Sequence, residues 1–538
     1  MKRLSLILAL SGILTNAYTQ STLIWSEVFE AAIEIQAYYF AYNWPVVQAD
    51  LDTIKVIGRK NTSSGQRLQV VKYDLNGDTL STMIYGNDSL YDNTLIDYKF
   101  DSTNHVYLLQ REYLGYYKSK IVLQKYALNG TLVWSEQIQN LADTSYRPLS
   151  LALVNDTCLF MTAYKEYDYP EYDSDVEYTT SISHLYAYHS NGNLLWQRVF
   201  DPDTEIQTFV YDVFVYKDTA FFFASNASEI NRLVKVDINN NLFLNISTGV
   251  INGINKDIQL TPDNQLLMTA YIHYRVSKVD LNGSLIWTQV YGTNLPSNHT
   301  GDQMRSTIQD AAGNIYITGK HYGLNYGTPS YTNADILTLK YDSNGNLIWE
   351  NRYQYGINNS DIGDVIQLKN GYIYVGGESQ KSGISTNYDY VVIKMDAETG
   401  VTNGVYRYDG LSNGHDIATS LYVFDDAHVA LTGLSYTNDQ YDWTTQYLSD
   451  IILSDQSISS ENIIKIYPNP VISGEMLTVE GADFKEYAII SAIGQIVQNG
   501  ILSLSESQVI TLENVPAGMY LLYLKSDKEV LTRKIIVE

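Results

Sequence analysis

Leu337-Thr338-Leu339-Lys340-Tyr341-Asp342-Ser343-Asn344-Gly345-Asn346-Leu347-Ile348-Trp349 is the stretch that decides how this chain folds. An apolar run meets a short polar turn, and a second apolar run follows. Two runs of β-forming residues around an Asn-Gly pair read as a β-hairpin. Both residues of such a pair tolerate positive φ, so a two-residue turn is expected. The pattern recurs at 70–85, 122–138, 184–200 and 275–291, more weakly at 232–246, and with a longer turn at 391–408. The residue before each turn is Asp74, Ala127, His189, Asp237, Asp280, Asp342 or Asp396, spaced on average about 54 residues apart. Trp134, Trp196, Trp287 and Trp349 follow four of these positions at the same distance.

A second hairpin alternates with the first. Residues 306–319 read Ser-Thr-Ile-Gln, a turn over 310–314, then Ile-Tyr-Ile-Thr-Gly. Equivalents lie at 46–58, 96–110, 149–164, 208–225, 258–271, 365–377 and 418–433. Each repeat is therefore four short antiparallel strands, a to d, and tandem four-stranded repeats of this length signal a β-propeller. The last repeat has strands a and b, with c near 442–453, and then leaves for a polar segment. Its strand d is expected at the other end of the chain. Thr22-Leu23-Ile24-Trp25-Ser26-Glu27-Val28 matches Thr131-Leu132-Val133-Trp134-Ser135-Glu136-Gln137 almost residue for residue. A terminal strand that completes the last blade leaves no open edge. The expected fold is all-β, an eight-bladed β-propeller over 22–453, with seven blades as the nearest alternative. The run at 310–349, together with 371–400, resembles the bacterial β-propeller repeat (SBBP) family. That resemblance implies a propeller and no single activity.

Composition narrows the function. The chain has 538 residues, 60 acidic against 35 Lys plus Arg, and a formal charge of −25. Such a chain repels phosphate backbones, so nucleic-acid binding is not expected. Cys158 is the one cysteine, which excludes an intramolecular disulfide framework and a multi-Cys metal site. It lies in an apolar strand and reads as a small core residue. Met1-Lys2-Arg3, a short apolar run over 4–14 and the small residue Ala17 read as a secretory signal peptide over 1–17. No later segment is long and apolar enough for a membrane helix, so the chain is not expected to be transmembrane.

Residues 454–461 read as a linker. From 463 the repeats stop and seven short strands are expected at 463–467, 476–479, 487–491, 496–500, 508–512, 518–525 and 529–537, which suggests a small Ig-like β-sandwich. Within it stand Tyr467, Pro468, Asn469 and Pro470, then Gly494, then Pro516, Ala517, Gly518 and Tyr520. This ordered set resembles the C-terminal sorting domain of the type IX (Por) secretion system of Bacteroidetes. The usual Asp-Leu-Leu-Gly-Arg core of that family is Ser491-Ala492-Ile493-Gly494-Gln495 here. The resemblance implies the type IX machinery as a partner through 463–538, passage across the outer membrane and a secreted or surface-attached product.

Strand alternation puts the a–b and c–d turns on one face of the ring and the b–c and d–a connections on the other. The second set varies in length, and variable loops on a rigid scaffold are where binding is placed. The loop over 164–180 carries Tyr164, Glu166, Tyr167, Asp168, Tyr169, Glu171, Tyr172, Asp173 and Asp175. Clustered oxygen ligands suit Ca²⁺, and exposed aromatics suit a sugar or a protein partner; a solvated acidic loop fits the same residues. His299 and His321 fall near the variable face of the sixth repeat. The aspartates in the hairpin turns have loosely calcium-like spacing, but Gly is misplaced for an EF-hand, so no metal or cofactor is expected there. Asp302, Asp361, Asp364 and Asp416 precede strand a in three repeats and offer a carboxylate set for acid–base work. Their recurrence instead suits a structural role.

No HExxH, GxSxG, P-loop or dinucleotide motif occurs. The leading expectation is an exported propeller that binds a protein or a polysaccharide. The alternative is a glycan hydrolase or lyase with carboxylates at the mouth of the ring. A quinone-dependent dehydrogenase is a third reading, weakened by the absence of a vicinal Cys pair.

Overall fold

The computed structural model describes residues 22–33, 45–449, 458–459 and 465–537. Within these spans it leaves out 51, 63–64, 87–92, 116–117, 139–143, 168–180, 201–208, 226–231, 238–242, 248–254, 271–273, 292–301, 323–333, 356–359, 381–387, 410–413, 426–427, 438–439, 481–483, 492–495, 503–506, 513–514 and 526–529. The signal-peptide reading over 1–17 lies outside the described residues.

The chain divides into two compact units. The first is built of four-stranded antiparallel sheets, one after another along the sequence, at 46–85, 93–138, 144–200, 209–247, 255–290, 303–353 and 361–409. They are called units 1 to 7 below. The sheets of units 2 and 3 are joined by a single parallel bridge, Ser145 to Ser119. Unit 8 holds Asp416–Val423, His428–Thr437 and Gln440–Ser449, and its fourth strand is Thr22–Ile33 from the start of the chain. That strand pairs antiparallel with Gln440–Ser449, Thr22 opposite Ser449 and Phe29 opposite Trp443. The architecture is all-β and propeller-like.

Unit 6 shows why these residues make such a sheet. Strands b (Ile315–His321) and c (Asp335–Tyr341) are nearly continuous buried runs, whereas d (Leu347–Tyr353) alternates and exposes Leu347 and Ile348. A strand covered on both faces is apolar throughout; an outer strand is covered on one. The covering comes from the neighbouring sheets. Ile317, Leu337 and Leu339 share a cluster with Leu267 and Val276 of unit 5, and Tyr316 and Ile336 share another with Ile373, Val375 and Val391 of unit 7. Comparable clusters join units 1 and 2, 2 and 3, 3 and 4, and 4 and 5. Val47, Ile54 and Val71 of unit 1 pack with Ala430, Leu434 and Trp443 of unit 8. Units 7 and 8 meet where Gln367 Oε1 accepts the Val423 amide at 3.1 Å.

The expected two-residue turn does not form. In unit 6 the Asp342 amide donates to Asn346 O at 2.9 Å and the Gly345 amide to Asp342 O at 3.0 Å. Only Gly345 in this turn has positive φ, +86°. The register skips from Lys340–Trp349 to Tyr341–Leu347, so a type I turn is followed by a glycine bulge. The same turn forms at Ala127 with no carboxylate, and here the aspartate reinforces it. Asp342 Oδ1 accepts the amides of Asn344 and Asn346 at 2.9 and 2.8 Å, which closes an Asx turn.

The second unit contains two sheets around one apolar cluster. Lys465–Tyr467, Met476–Glu480 and Ser507–Thr511 form one; Ile496–Ile501, Glu486–Ser491, Gly518–Lys525 and Val530–Val537 form the other. Leu477, Val479, Ile489, Leu522, Leu524 and Ile535 lie in the shared core.

Candidate functional site

The end of the propeller sheets that carries the b–c and d–a connections holds the chemistry at units 6 to 8. Strand a begins with an aspartate, or follows one, in all three. Asp361 stands across the ladder from Ser379, and Asp416 from Ser435. Ser379 Oγ donates to Asp361, and Ser435 Oγ donates to Asp416. In unit 6, Asp302 Oδ2 lies 3.0 Å from His321 Nδ1 and Oδ1 accepts the Tyr322 amide at 2.8 Å. Asp302, Asp361 and Asp416 are 3%, 0% and 0% exposed. They clamp strand a to the end of strand b and present no open carboxylate. Burial pushes the Asp361 carboxyl up to about 6, opposed by the Ser379 hydroxyl, the Tyr355 amide and the Arg407 charge. Arg407 is itself buried and donates to Ser379 Oγ, to the Ser379 carbonyl at 3.1 Å and to Asp389 at 2.7 Å.

Beside these clamps lies a half-buried group of charges. Arg305 and Asp364 are the extra residues of β-bulges in strand a of units 6 and 7. Bulges at the same step occur in units 2, 3, 5 and 8. A bulge re-aims its side chain. Arg305 Nε lies 3.9 Å from Asp364 Oδ1, and Nη2 donates to Gln303 Oε1 at 2.9 Å. Lys320 stands opposite Gln303 on strand b, with its amine 4.8 Å from the centre of the Tyr322 ring. Burial lowers the pKa of that amine; Glu378 opposes the shift and Arg305 adds to it. Glu378 is bonded to Nε2 of His415, whose ring centre lies 4.5 Å from that of Tyr388.

Of the binding residues expected from the sequence, Tyr164, Glu166, Tyr167 and His321 are described. Tyr164 is half-buried on strand b of unit 3, with the Arg147 guanidinium 5.9 Å from its ring centre. Glu166 and Tyr167 continue that strand opposite Ser145 and Thr144. Asp168, Tyr169, Glu171, Tyr172, Asp173, Asp175 and His299 lie outside the described residues. His321 is a buried partner of Asp302, not a loop residue open to a ligand. The sequence reading missed Arg305 and Lys320. A bulge register is set by pairing and leaves no mark in composition. Among the described residues, no three of His, Cys, Asp and Glu converge as a cation site. No helix among them is long and apolar enough to cross a membrane.

In the second unit the motif residues pin the chain together. Asn469 Oδ1 accepts the Ile536 amide at 2.8 Å and the Val471 amide donates to Ile536 O at 2.9 Å, tying the first strand's exit to the last strand. Tyr520 donates to the Pro516 carbonyl at 2.9 Å. Tyr467 is exposed, as are Pro516, Ala517 and Gly518; Pro468, Asn469 and Pro470 are exposed beside them. Gly494 lies outside the described residues. Residues 465–538 match the family model described as the secretion system C-terminal sorting domain, of the Por type.

This segment is a Por secretion sorting domain. The sorting domain sends the protein out of the cell, to the outer surface or beyond, and implies contact with the type IX secretion machinery. No curated protein matches the chain. The solved WD40 domain of SCAP from fission yeast is 11% identical, over 81% of this chain and 98% of that one, at a TM-score of 0.39. A catalytically inactive virginiamycin B lyase from Staphylococcus aureus with quinupristin is 10% identical, over 65% and 96%, at 0.36. A protein of unknown function from Bacteroides caccae is 9% identical, over 56% and 94%, at 0.30.

Proposed function

We propose that the protein is a secreted or surface-attached binding propeller. Eight blades over 22–453 are closed by the strand Thr22–Ile33; a linker at 454–461 leads to the sorting domain at 463–538. The ligand is a protein or a polysaccharide. The observation that carries this reading is the pairing of a sorting domain with a propeller-like scaffold in which Asp302, Asp361 and Asp416 are taken up in structural bonds. Asp302, Asp361, Asp364 and Asp416 are the carboxylates of the glycan-hydrolase alternative; three of them are buried against His321, Ser379 and Ser435, which supports binding over hydrolysis, and Asp364 is half-buried beside Arg305.

The test is a thermal-shift screen of the full secreted chain against polysaccharides, extracellular matrix proteins and Ca²⁺. A ligand at a hundredfold excess over its Kd stabilises by about 2.7 kcal/mol. A saturable shift without product release is the expected result. Release of oligosaccharide from any member of the panel would overturn the binding reading in favour of the enzyme.

A further inference from the structure

We infer that the type IX machinery engages this protein at the open edge of the sorting domain's four-stranded sheet, strand Ile496–Ile501, by laying an extended apolar segment of its own along it as an additional strand. This rests on the sorting-domain match at 465–538 and not on what the propeller binds.

The strands of that sheet run in the order Ile496–Ile501, Glu486–Ser491, Gly518–Lys525, Val530–Val537, so the first and last are its edges. The two edges are guarded differently. Val530–Val537 carries Arg533 and Lys534, and the chain around Asn469 covers its end: the Val471 amide donates to Ile536 O, and Asn469 Oδ1 accepts the Ile536 amide. Ile496–Ile501 reads Ile-Val-Gln-Asn-Gly-Ile, with no charge and no proline. Among the described residues it pairs on one side only, with Glu486–Ser491. Proteins ordinarily blunt such an edge with lysine, proline or a covering loop. Here Ile496 and Ile501 are 61% and 86% exposed, and Val497 is exposed beside Ile496. The other sheet of the unit has shorter edges, three and five residues long, and the Thr511 carbonyl of one is taken by Gln498 Nε2 at 2.7 Å.

The sheet face beside the edge is apolar as well. Ile496 stands opposite Ile490, and Ile490 opposite Leu521. Cross-strand partners share a face. Leu521 is exposed and Ile490 half-buried. An incoming strand meets backbone N–H and C=O groups along the edge and an apolar strip leading away from it, which are the two requirements of strand addition. The apolar surface is concentrated in this unit. Of the 23 large apolar residues exposed among the described ones, ten lie between 467 and 536. The motif residues Asn469, Pro516 and Tyr520 bond within the unit and hold its shape, so the surface that is read is a different one. The family match already makes this unit the part of the chain that meets the machinery, and the edge belongs to that same contact region.

The test is export of the full chain by a cell that carries the type IX system. I496K and I501K each place a charge on the exposed edge. Both should be held in the periplasm, with surface protein falling about tenfold or more. I501V keeps the edge apolar and should reach the surface as wild type does; so should I348K, on an outer strand of the propeller. Purified I496K and I501K should melt with wild type, which separates lost docking from lost folding. In case a lysine disturbs the sheet, a photo-crosslinking group placed at Ile501 gives a second readout. During export it should cross-link to a component of the type IX machinery, and the same group at Ile348 should not. Normal export of both lysine variants, with no cross-link from position 501, would overturn the edge yet leave the sorting domain's role intact. A cross-link from position 501 to a second copy of the chain would overturn the machinery as the occupant. Surface display of a chain lacking 463–538 would sink the sorting role and this inference together.

Discussion

Asp361 and Asp342 show how differently one residue type is used. Asp342 is exposed on a turn, and its carboxylate gathers the Asn346 side-chain amide and backbone amides of Asn344 and Asn346, which lowers its pKa. At Asp101 burial is the largest single effect and pushes upward, but the combined hydrogen bonds from Thr103 and His105 and the His105 charge outweigh it, and its pKa falls to about 2. These groups stabilise the fold above the ordinary carboxylate pKa and lose that contribution as the pH falls through their folded values. Asp361 has the opposite sign. Its folded pKa is raised to about 6, so the folded state holds a proton that the unfolded chain releases nearer 4. Its contribution is therefore present in acid and is lost as the pH rises from about 4 to about 6. D361N imitates the protonated form at every pH. We expect the variant to gain melting temperature relative to wild type at pH 7.5 and to lose that advantage at pH 4.5. A constant difference across that range, followed by calorimetry, would show that Asp361 does not titrate as its burial implies.

Between elements, the recurring tryptophan is a latch from one sheet to the next. Trp134 Nε1 donates to Ser190 O at 3.0 Å, Trp287 to Ser343 O at 3.2 Å and Trp349 to Ala397 O at 3.2 Å, each acceptor lying in the c–d turn of the following unit. The turn glycine lies against the indole. A Cβ on Gly192, Gly345 or Gly400 would stand 3.0, 2.9 or 2.6 Å from it. Gly371 is the control that nature provides: its φ of +81° resembles the +73° of Gly400, but nothing lies within 4 Å of its would-be Cβ. G371A should cost only the left-handed backbone penalty, about 1–2 kcal/mol. G400A should cost that and more, about 3–4 kcal/mol, because overpacking adds to it. Equal losses in denaturant titrations would remove the latch. The hairpins, the Trp spacing and the seven strands of the C-terminal unit were legible in the sequence because periodicity and turn residues write them there. The turn type was not. Asn-Gly suits either a two-residue turn or a glycine bulge, and the bulge forms at Ala127 as at Asp342, so the choice lies in how the strands pair and not in the residue before the turn. The site was less legible still: Arg305 and Lys320 meet only through a bulge and a cross-strand pairing.

At the scale of the molecule, two ends of the chain carry two different tasks. The C-terminal unit is the address. Its motif residues Asn469, Pro516 and Tyr520 bond within the unit itself, so removing 463–538 should leave the propeller folded but stranded in the periplasm; truncated protein on the cell surface in fractionation and protease-shaving experiments would contradict this. The N-terminal strand is the closure. Without Thr22–Ile33, the strand Gln440–Ser449 would present a row of unpaired N–H and C=O groups at an open edge. Unit 8 also meets unit 1 through Trp443, 1% exposed, whose ring leaves no room for a side chain at Gly58. Loosening one strand therefore loosens a seam that holds the first and last sheets together. A chain beginning at residue 34 should melt lower, self-associate as its concentration rises in light scattering, and lose amide protection across 440–449 in hydrogen exchange. A synthetic peptide of residues 22–33 should restore that protection by adding the missing strand in trans. If the truncated chain keeps its melting point and its protection at 440–449, the sheet of unit 8 does not depend on this strand.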